Sequence, residues 1–100
     1  MGYKNLSSSE LQNWIKNNKK MLLLDIRTEE EFEEVHIEHS VNIPLQDLLY
    51  NIDELQEYKD RDIVVYCRSG HRSITACNLL SMEGFNKLYN LEDGIQGYLK

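Results

Sequence analysis

Two short, unbroken apolar runs limit what this chain can fold into. Met21-Leu22-Leu23-Leu24-Asp25-Ile26 is interrupted only by Asp25, and Ile63-Val64-Val65-Tyr66 is not interrupted at all. A strand with one wet face alternates apolar and polar residues. A continuous run predicts a strand covered on both faces, as in a parallel sheet. Parallel neighbours need crossover connections, and the segments between the runs read as helices. The expected class is therefore α/β, a parallel sheet with helices on both faces. At 100 residues the chain is one domain, 1–100, with room for a single core.

The connecting segments carry their own signals. Residues 3–6 read as a short edge strand. Ser7 with Glu10 forms a capping box that starts a helix through about Lys16, with Leu11, Trp14 and Ile15 as its apolar stripe. Thr28 with Glu31 is a second capping box, and the helix after it, 29–34, carries five acids around Phe32. Acids suit a helix N-terminus, and the run is read as a solvated face rather than a dock for a basic partner. Residues 35–40 read as a loop and 41–43 as a short strand stopped by Pro44. Residues 45–50 and 52–58 read as two short helices with core contacts at Leu48, Leu49, Ile52 and Leu55. The segment 73–83 is apolar nearly all round, which predicts a buried central helix ended by Gly84. A last strand is expected at 87–91, then a turn at Glu92-Asp93-Gly94 and a short closing helix.

The second apolar run leads directly into Cys67-Arg68-Ser69-Gly70-His71-Arg72-Ser73. One cysteine thus stands where a buried strand turns sharply into a helix. Such a turn points backbone N–H groups and the positive end of a helix dipole into one small cup. Arg68, His71 and Arg72 add positive charge, so a thiol there should ionise readily. Gly70 permits dihedrals that a larger residue resists and leaves room for a ligand. Ser69 and Ser73 offer hydroxyl donors, and Ser73 is equally suited to capping the helix. Arg72 presents a fork of donors fit for an oxyanion, or for tying the loop to a carboxylate. His71 assists when protonated and otherwise faces solvent. Cys77 lies on the most apolar helix and is read as buried and inert.

A thiolate in a cup of amides attacks sulfur or phosphorus, giving a persulfide or a phosphocysteine. Loop length separates the two. Cys67 to Arg72 is Cys-x4-Arg, one residue shorter than Cys-x5-Arg, and the tighter cup suits a single added sulfur.

These motifs resemble the single-domain rhodaneses, a sulfurtransferase family, over almost the whole chain. Leu24-Asp25-Ile26-Arg27 is similar to the family's D-V-R strand, and Glu31-Phe32 lies in the acidic helix that follows. His36-Ile37 and Asn42-Ile43-Pro44-Leu45 resemble G-H-I-x-G-A-x-N-I-P. Cys67 to Ser73 matches C-R-x-G-x-R-S, and Gly84-Phe85 with Leu91-Glu92-Asp93-Gly94-Ile95 matches the closing G-F and L-x-G-G. Val35, Glu38-His39, Ser40 and Asp93 depart from a usual Gly, Pro-Gly, Ala and Gly, and Tyr98 stands near a frequent Trp.

The resemblance implies a rhodanese-like domain with a five-stranded, mostly parallel sheet flanked by helices. It implies a ping-pong sulfurtransferase in which Cys67 takes sulfur from thiosulfate or a persulfide and passes it to cyanide or a thiol. By the same likeness, the N–H groups of 68 to 73 hold the persulfide, and Arg68, His71 and Arg72 attract an anionic donor. Asp25 and Arg27 are read as structural. The competing readings are a cysteine phosphatase or arsenate reductase, and a non-catalytic partner-binding module.

Partners are expected to be a small anionic sulfur donor and a thiol or cyanide acceptor, with a protein persulfide as a further candidate. The net charge of −6 argues against nucleic acid. No run approaches the roughly 20 residues needed to cross a bilayer. No cofactor is expected, and no metal: His36 and His39 are three apart and no Cys/His quartet has zinc spacing. Two cysteines are too few for a disulfide framework. With no targeting pattern near the N-terminus, they favour a cytoplasmic location.

Overall fold

The computed structural model describes residues 2–100. Five parallel strands, β1 (Tyr3–Leu6), β2 (Leu22–Asp25), β3 (Val41–Asn42), β4 (Ile63–Tyr66) and β5 (Leu88–Leu91), form one sheet in the order β1-β5-β4-β2-β3. Every pairing is parallel, so "mostly parallel" becomes wholly parallel. The two continuous apolar runs are β2 and β4, adjacent and in register from Leu22 opposite Ile63 to Asp25 opposite Tyr66. All eight of their residues are buried. β1 lies at an edge, where its exposed Lys4 and Asn5 are tolerated.

Side chains alternate across the sheet, and each face has its own core. Leu22, Leu24, Ile63 and Val65 pack with Leu48, Ile52, Leu55, Ala76, Cys77 and Leu80 on one side. That side is covered by α3 (Arg72–Met82) and by two 3-10 helices, Leu45–Asn51 and Asp53–Tyr58. Leu23, Val64, Tyr66 and Leu91 pack with Leu11, Ile37 and Ile95 on the other. Those contacts come from α1 (Ser8–Lys16), the loop 35–40 and α4 (Gly94–Tyr98). α2 (Glu29–Glu34) follows β2, and both expected capping boxes are present, at Ser7/Glu10 and Thr28/Glu31.

Several burial expectations are corrected. α3 buries one face only: Ser73, Ala76, Cys77 and Leu80 are inside, whereas Met82 is 82% exposed. Ile15 and Leu49 also face outward, because each helix meets the sheet along a narrower stripe than its composition offers. Gly84 has φ +93°, as a residue ending α3 should.

The loop 35–40 is held from below. The Tyr66 hydroxyl, on a fully buried side chain, accepts from the Ile37 N–H at 3.1 Å and lies 2.9 Å from Ser40 Oγ. Arg27 closes on Asp25 with Nη2 to Oδ2 at 2.6 Å and also donates to the Val35 carbonyl at 2.7 Å. Asp25 and Arg27 are therefore structural, both buried and paired. The departures from the family pattern are accommodated. His39 takes φ +70°, the left-handed conformation a glycine would adopt freely, while Asp93 at φ −100° needs no glycine.

Candidate active site

The chain leaves β2 for β3 on one side and β4 for β5 on the other. The crevice between β2 and β4 is thus the topological switch point, where open α/β sheets bind ligands at their carboxyl ends. Cys67 is the first residue beyond β4 at that place.

The loop is shaped by its neighbours on β5 and α4. Gly70 has φ +93°, and a Cβ there would lie 2.0 Å from the Glu92 carbonyl oxygen. Gly94 has φ +61°, and its Cβ would lie 2.3 Å from the Arg68 carbonyl oxygen. The close approach lets the first turn of α4 reach the loop: the N–H groups of Ile95 and Gln96 donate to the Cys67 and Arg68 carbonyls at 2.9 and 3.0 Å. In a trans peptide the N–H points opposite to the C=O. Fixing those two carbonyls toward α4 therefore turns the Arg68 and Ser69 N–H groups away from α4, and the Ser69 N–H acts on the Cys67 sulfur.

Cys67 Sγ accepts from the Gly70 N–H at 3.2 Å and lies 3.4 Å from Ser73 Oγ. Burial is the largest influence on this thiol and opposes ionisation. The Ser73 hydroxyl, which can turn its proton to the ionised sulfur, and the backbone N–H groups of Ser73, Ser69 and Gly70 together outweigh it, and the thiol is lowered from its ordinary value. The residue is only 1% exposed and packs at the end of the core beneath α3. Cys77 is the opposite case. It is fully buried without such donors, and burial, helped by the nearby Cys67, pushes it up to about 12.

The remaining loop residues divide. Arg72 is turned to Glu31 in a two-pronged contact, Nη1 to Oε1 and Nη2 to Oε2, each 3.1 Å. Of the two roles open to it, tying the loop to a carboxylate is the one observed. Glu31 is accordingly not part of a purely solvated acidic face. The fork of Arg72, and next the capping bonds of Thr28, hold its carboxyl down at about 2 against the cost of partial burial. Arg68, Ser69 and His71 are exposed at the rim, with Ser69 Oγ 3.0 Å from His71 Nδ1. Arg68 has no ion pair among the described residues.

Ser73 does not cap α3. The N-cap position belongs to His71, and Ser73 is buried inside the first turn with its hydroxyl on Cys67 and Asn90. Beside Arg72, a recess of about 310 Å³ is lined by Ile26, Thr28, Pro44, Leu45 and Gln46. Among the described residues no group of three or more His, Cys, Asp or Glu side chains could hold a metal ion.

Three contributors to the site were not anticipated. Glu31 and Gly94 stand in the sequence as a capping residue and a turn residue within family-like motifs, neither with an expected contact to the cysteine loop. Asn90 carried one legible signal, a single polar residue inside the strand Leu88–Leu91.

The sequence profile of the rhodanese-like domain matches residues 7–100. The chain belongs to the rhodanese-like domain family. Its relatives include a sulfurtransferase of Allochromatium vinosum, 36% identical over 90% of this chain and 82% of that protein. A putative sulfurtransferase of Bacillus subtilis, YtwF, is 34% identical over 98% and 92%. The rhodanese-like sequence also matches a tRNA uridine(34) hydroxylase of Buchnera aphidicola at 31% identity, spanning 95% of this chain but only 31% of that protein. Among solved structures, a rhodanese-related protein from Thermoplasma volcanium superposes with a TM-score of 0.85 at 31% identity, over 97% of this chain and 91% of that one. Sequence and fold thus agree on a rhodanese-like domain, and relatives named as sulfurtransferases are among those it resembles. No helix among the described residues is long and apolar enough to cross a membrane.

Proposed function

We propose that this protein moves a sulfane sulfur from an anionic donor, thiosulfate or a low-molecular-weight persulfide, to a thiophilic acceptor through a persulfide on Cys67. The Cys67 thiolate attacks the outer sulfur of thiosulfate. An S–S bond forms to Sγ, and the outer sulfur's bond to the sulfonate breaks, so that sulfite leaves with the electron pair. Cyanide or a thiolate then attacks the outer sulfur of the persulfide. Thiocyanate or a new persulfide departs, and the Cys67 thiolate is regenerated. The loop N–H groups serve as fixed donors to the anionic sulfur in both halves of the cycle. Arg68 and His71, exposed at the rim, are the groups that draw in the donor's charge.

The observation that carries this reading over phosphoryl transfer is the pairing of Arg72 with Glu31. A phosphoryl group needs a wide cradle and a free guanidinium fork on its oxygens. Here both prongs are occupied, and Gly70 is pressed against the Glu92 carbonyl, which keeps the loop from widening. Cycling between thiolate and persulfide also requires a free thiol, in keeping with a reducing cytoplasm.

Intact mass of reduced protein after exposure to thiosulfate tests the proposal. One sulfur atom should be gained on Cys67 and removed by cyanide with release of thiocyanate, and Cys67→Ser should abolish both steps. Failure with thiosulfate, glutathione persulfide and polysulfide alike would reject it. So would hydrolysis of a chromogenic aryl phosphate that disappears in Cys67→Ser.

A further inference from the structure

Asn90 is a polar side chain 2% exposed in a central part of the sheet, and neither strand pairing nor core packing requires an amide there. Its Nδ2 donates to the Gly70 carbonyl at 3.4 Å and to Asn5 Oδ1 at 3.2 Å. A carbonyl only accepts, so the amide nitrogen must face Gly70, and Oδ1 must face Ser73. The Ser73 hydroxyl donates to that oxygen. A hydroxyl has one proton. While it lies on Asn90, Ser73 Oγ can offer Cys67 Sγ, 3.4 Å away, only an acceptor. The arrangement is therefore that of the protonated cysteine: S–H to Oγ, then O–H to Oδ1. On ionisation the thiol proton leaves and the Ser73 O–H turns from Oδ1 to Sγ, breaking its bond to Asn90.

We propose that Asn90 is a positioning residue that holds the single hydroxyl proton of Ser73 away from Cys67 and so restrains formation of the nucleophile. It acts through Ser73 and touches no reacting atom. The inference rests on Cys67 being the nucleophile but not on the identity of the group it transfers.

The test is a thiolate-absorbance titration below pH 9, with Cys67→Ser as the blank. Cys77 stays protonated there, and Arg72 remains paired with Glu31. Arg68 and His71, the other charged or titratable groups of the loop, are unchanged in every variant.

Asn90→Val should move the midpoint of Cys67 down by about one pH unit, because a neutral competitor for a charge-accepting donor has been removed. Ser73→Ala should move it up. In a Ser73→Ala background, Asn90→Val should have no further effect. A structural role for Asn90 would instead loosen the loop amides and raise the midpoint in both backgrounds, and that result overturns the proposal. Should Asn90→Val fail to fold, Asn5→Ala frees the amide from the exposed side. It should give a smaller downward shift in the Ser73 background alone, and an unchanged or raised midpoint there also overturns the proposal. Because this readout is protonation rather than turnover, it remains decisive even if no sulfur donor is accepted.

Discussion

Replacing Glu31 with Gln separates the two tasks of that residue. Gln keeps the capping box with Thr28, since either side chain serves there, and removes the charge that Arg72 grips. Glu31 ionises at about 2 in the folded protein against an ordinary 4.5, chiefly through its bonds from Arg72. Taken without screening, that difference corresponds to about 3 kcal/mol. The pair is not dry, however: the side chains of Arg72 and Glu31 are 41% and 29% exposed. Screening by water and salt lowers the expected contribution to about 1–1.5 kcal/mol. For a domain of this size, that is a fall of roughly 5–10 °C in melting temperature at pH 7.

The pH dependence has a definite sign. A carboxylate with a depressed folded-state pKa stabilises fully above its unfolded value and loses that contribution as pH falls toward the folded value. The gap between wild type and Glu31→Gln should thus be complete above the ordinary 4.5 and vanish toward about 2. More than half of it should be gone at pH 3. Urea denaturation of both proteins at pH 7 and pH 3 measures it. Equal gaps at the two pH values, or none at pH 7, would refute the assignment of Glu31 and Arg72 as the tether between α2 and the cysteine loop.

Other outcomes follow from single contacts. Tyr66→Phe leaves the Ile37 N–H without its acceptor and should cost about 1–3 kcal/mol by urea denaturation. Gly94→Ala forces a Cβ to within 2.3 Å of the Arg68 carbonyl oxygen. It should slow alkylation of Cys67 by iodoacetamide as well as destabilise the fold, and an unchanged rate would show that α4 does not shape the loop. His39→Gly relieves a left-handed residue that is exposed and should raise stability by about 1 kcal/mol, seen as a higher melting temperature. Alkylation of the native protein at pH 8 should modify Cys67 at one rate and leave Cys77 until the protein unfolds, because burial pushes Cys77 up to about 12. Two equally fast thiols would contradict that placement.

The order of elements, the parallel sheet and the position of the cysteine were legible in the chain because each rests on local pattern. Leu22–Asp25 and Ile63–Tyr66 are apolar without alternation, and a strand of that kind has no wet face to offer. Ser7 with Glu10 and Thr28 with Glu31 announce helix starts three residues apart, within reach of one turn. Cys67 to Ser73 places thiol, glycine and cations at a strand-to-helix turn, and the positive φ of Gly70 suits that turn.

What long-range packing decided is who partners whom. Nothing local reveals that Arg72 meets a carboxylate 41 positions earlier rather than an anion in the cup. Nothing local reveals that Asn90 reaches back 17 positions to Ser73, or that the turn at Gly94 receives the carbonyls of Cys67 and Arg68. Hydrogen bonds and ion pairs act over a few ångströms in space, whereas sequence periodicity records only which face of an element turns inward. The nucleophile could therefore be read from neighbours along the chain. The electrostatic setting that governs its proton exists only once β2, β4 and β5 lie side by side.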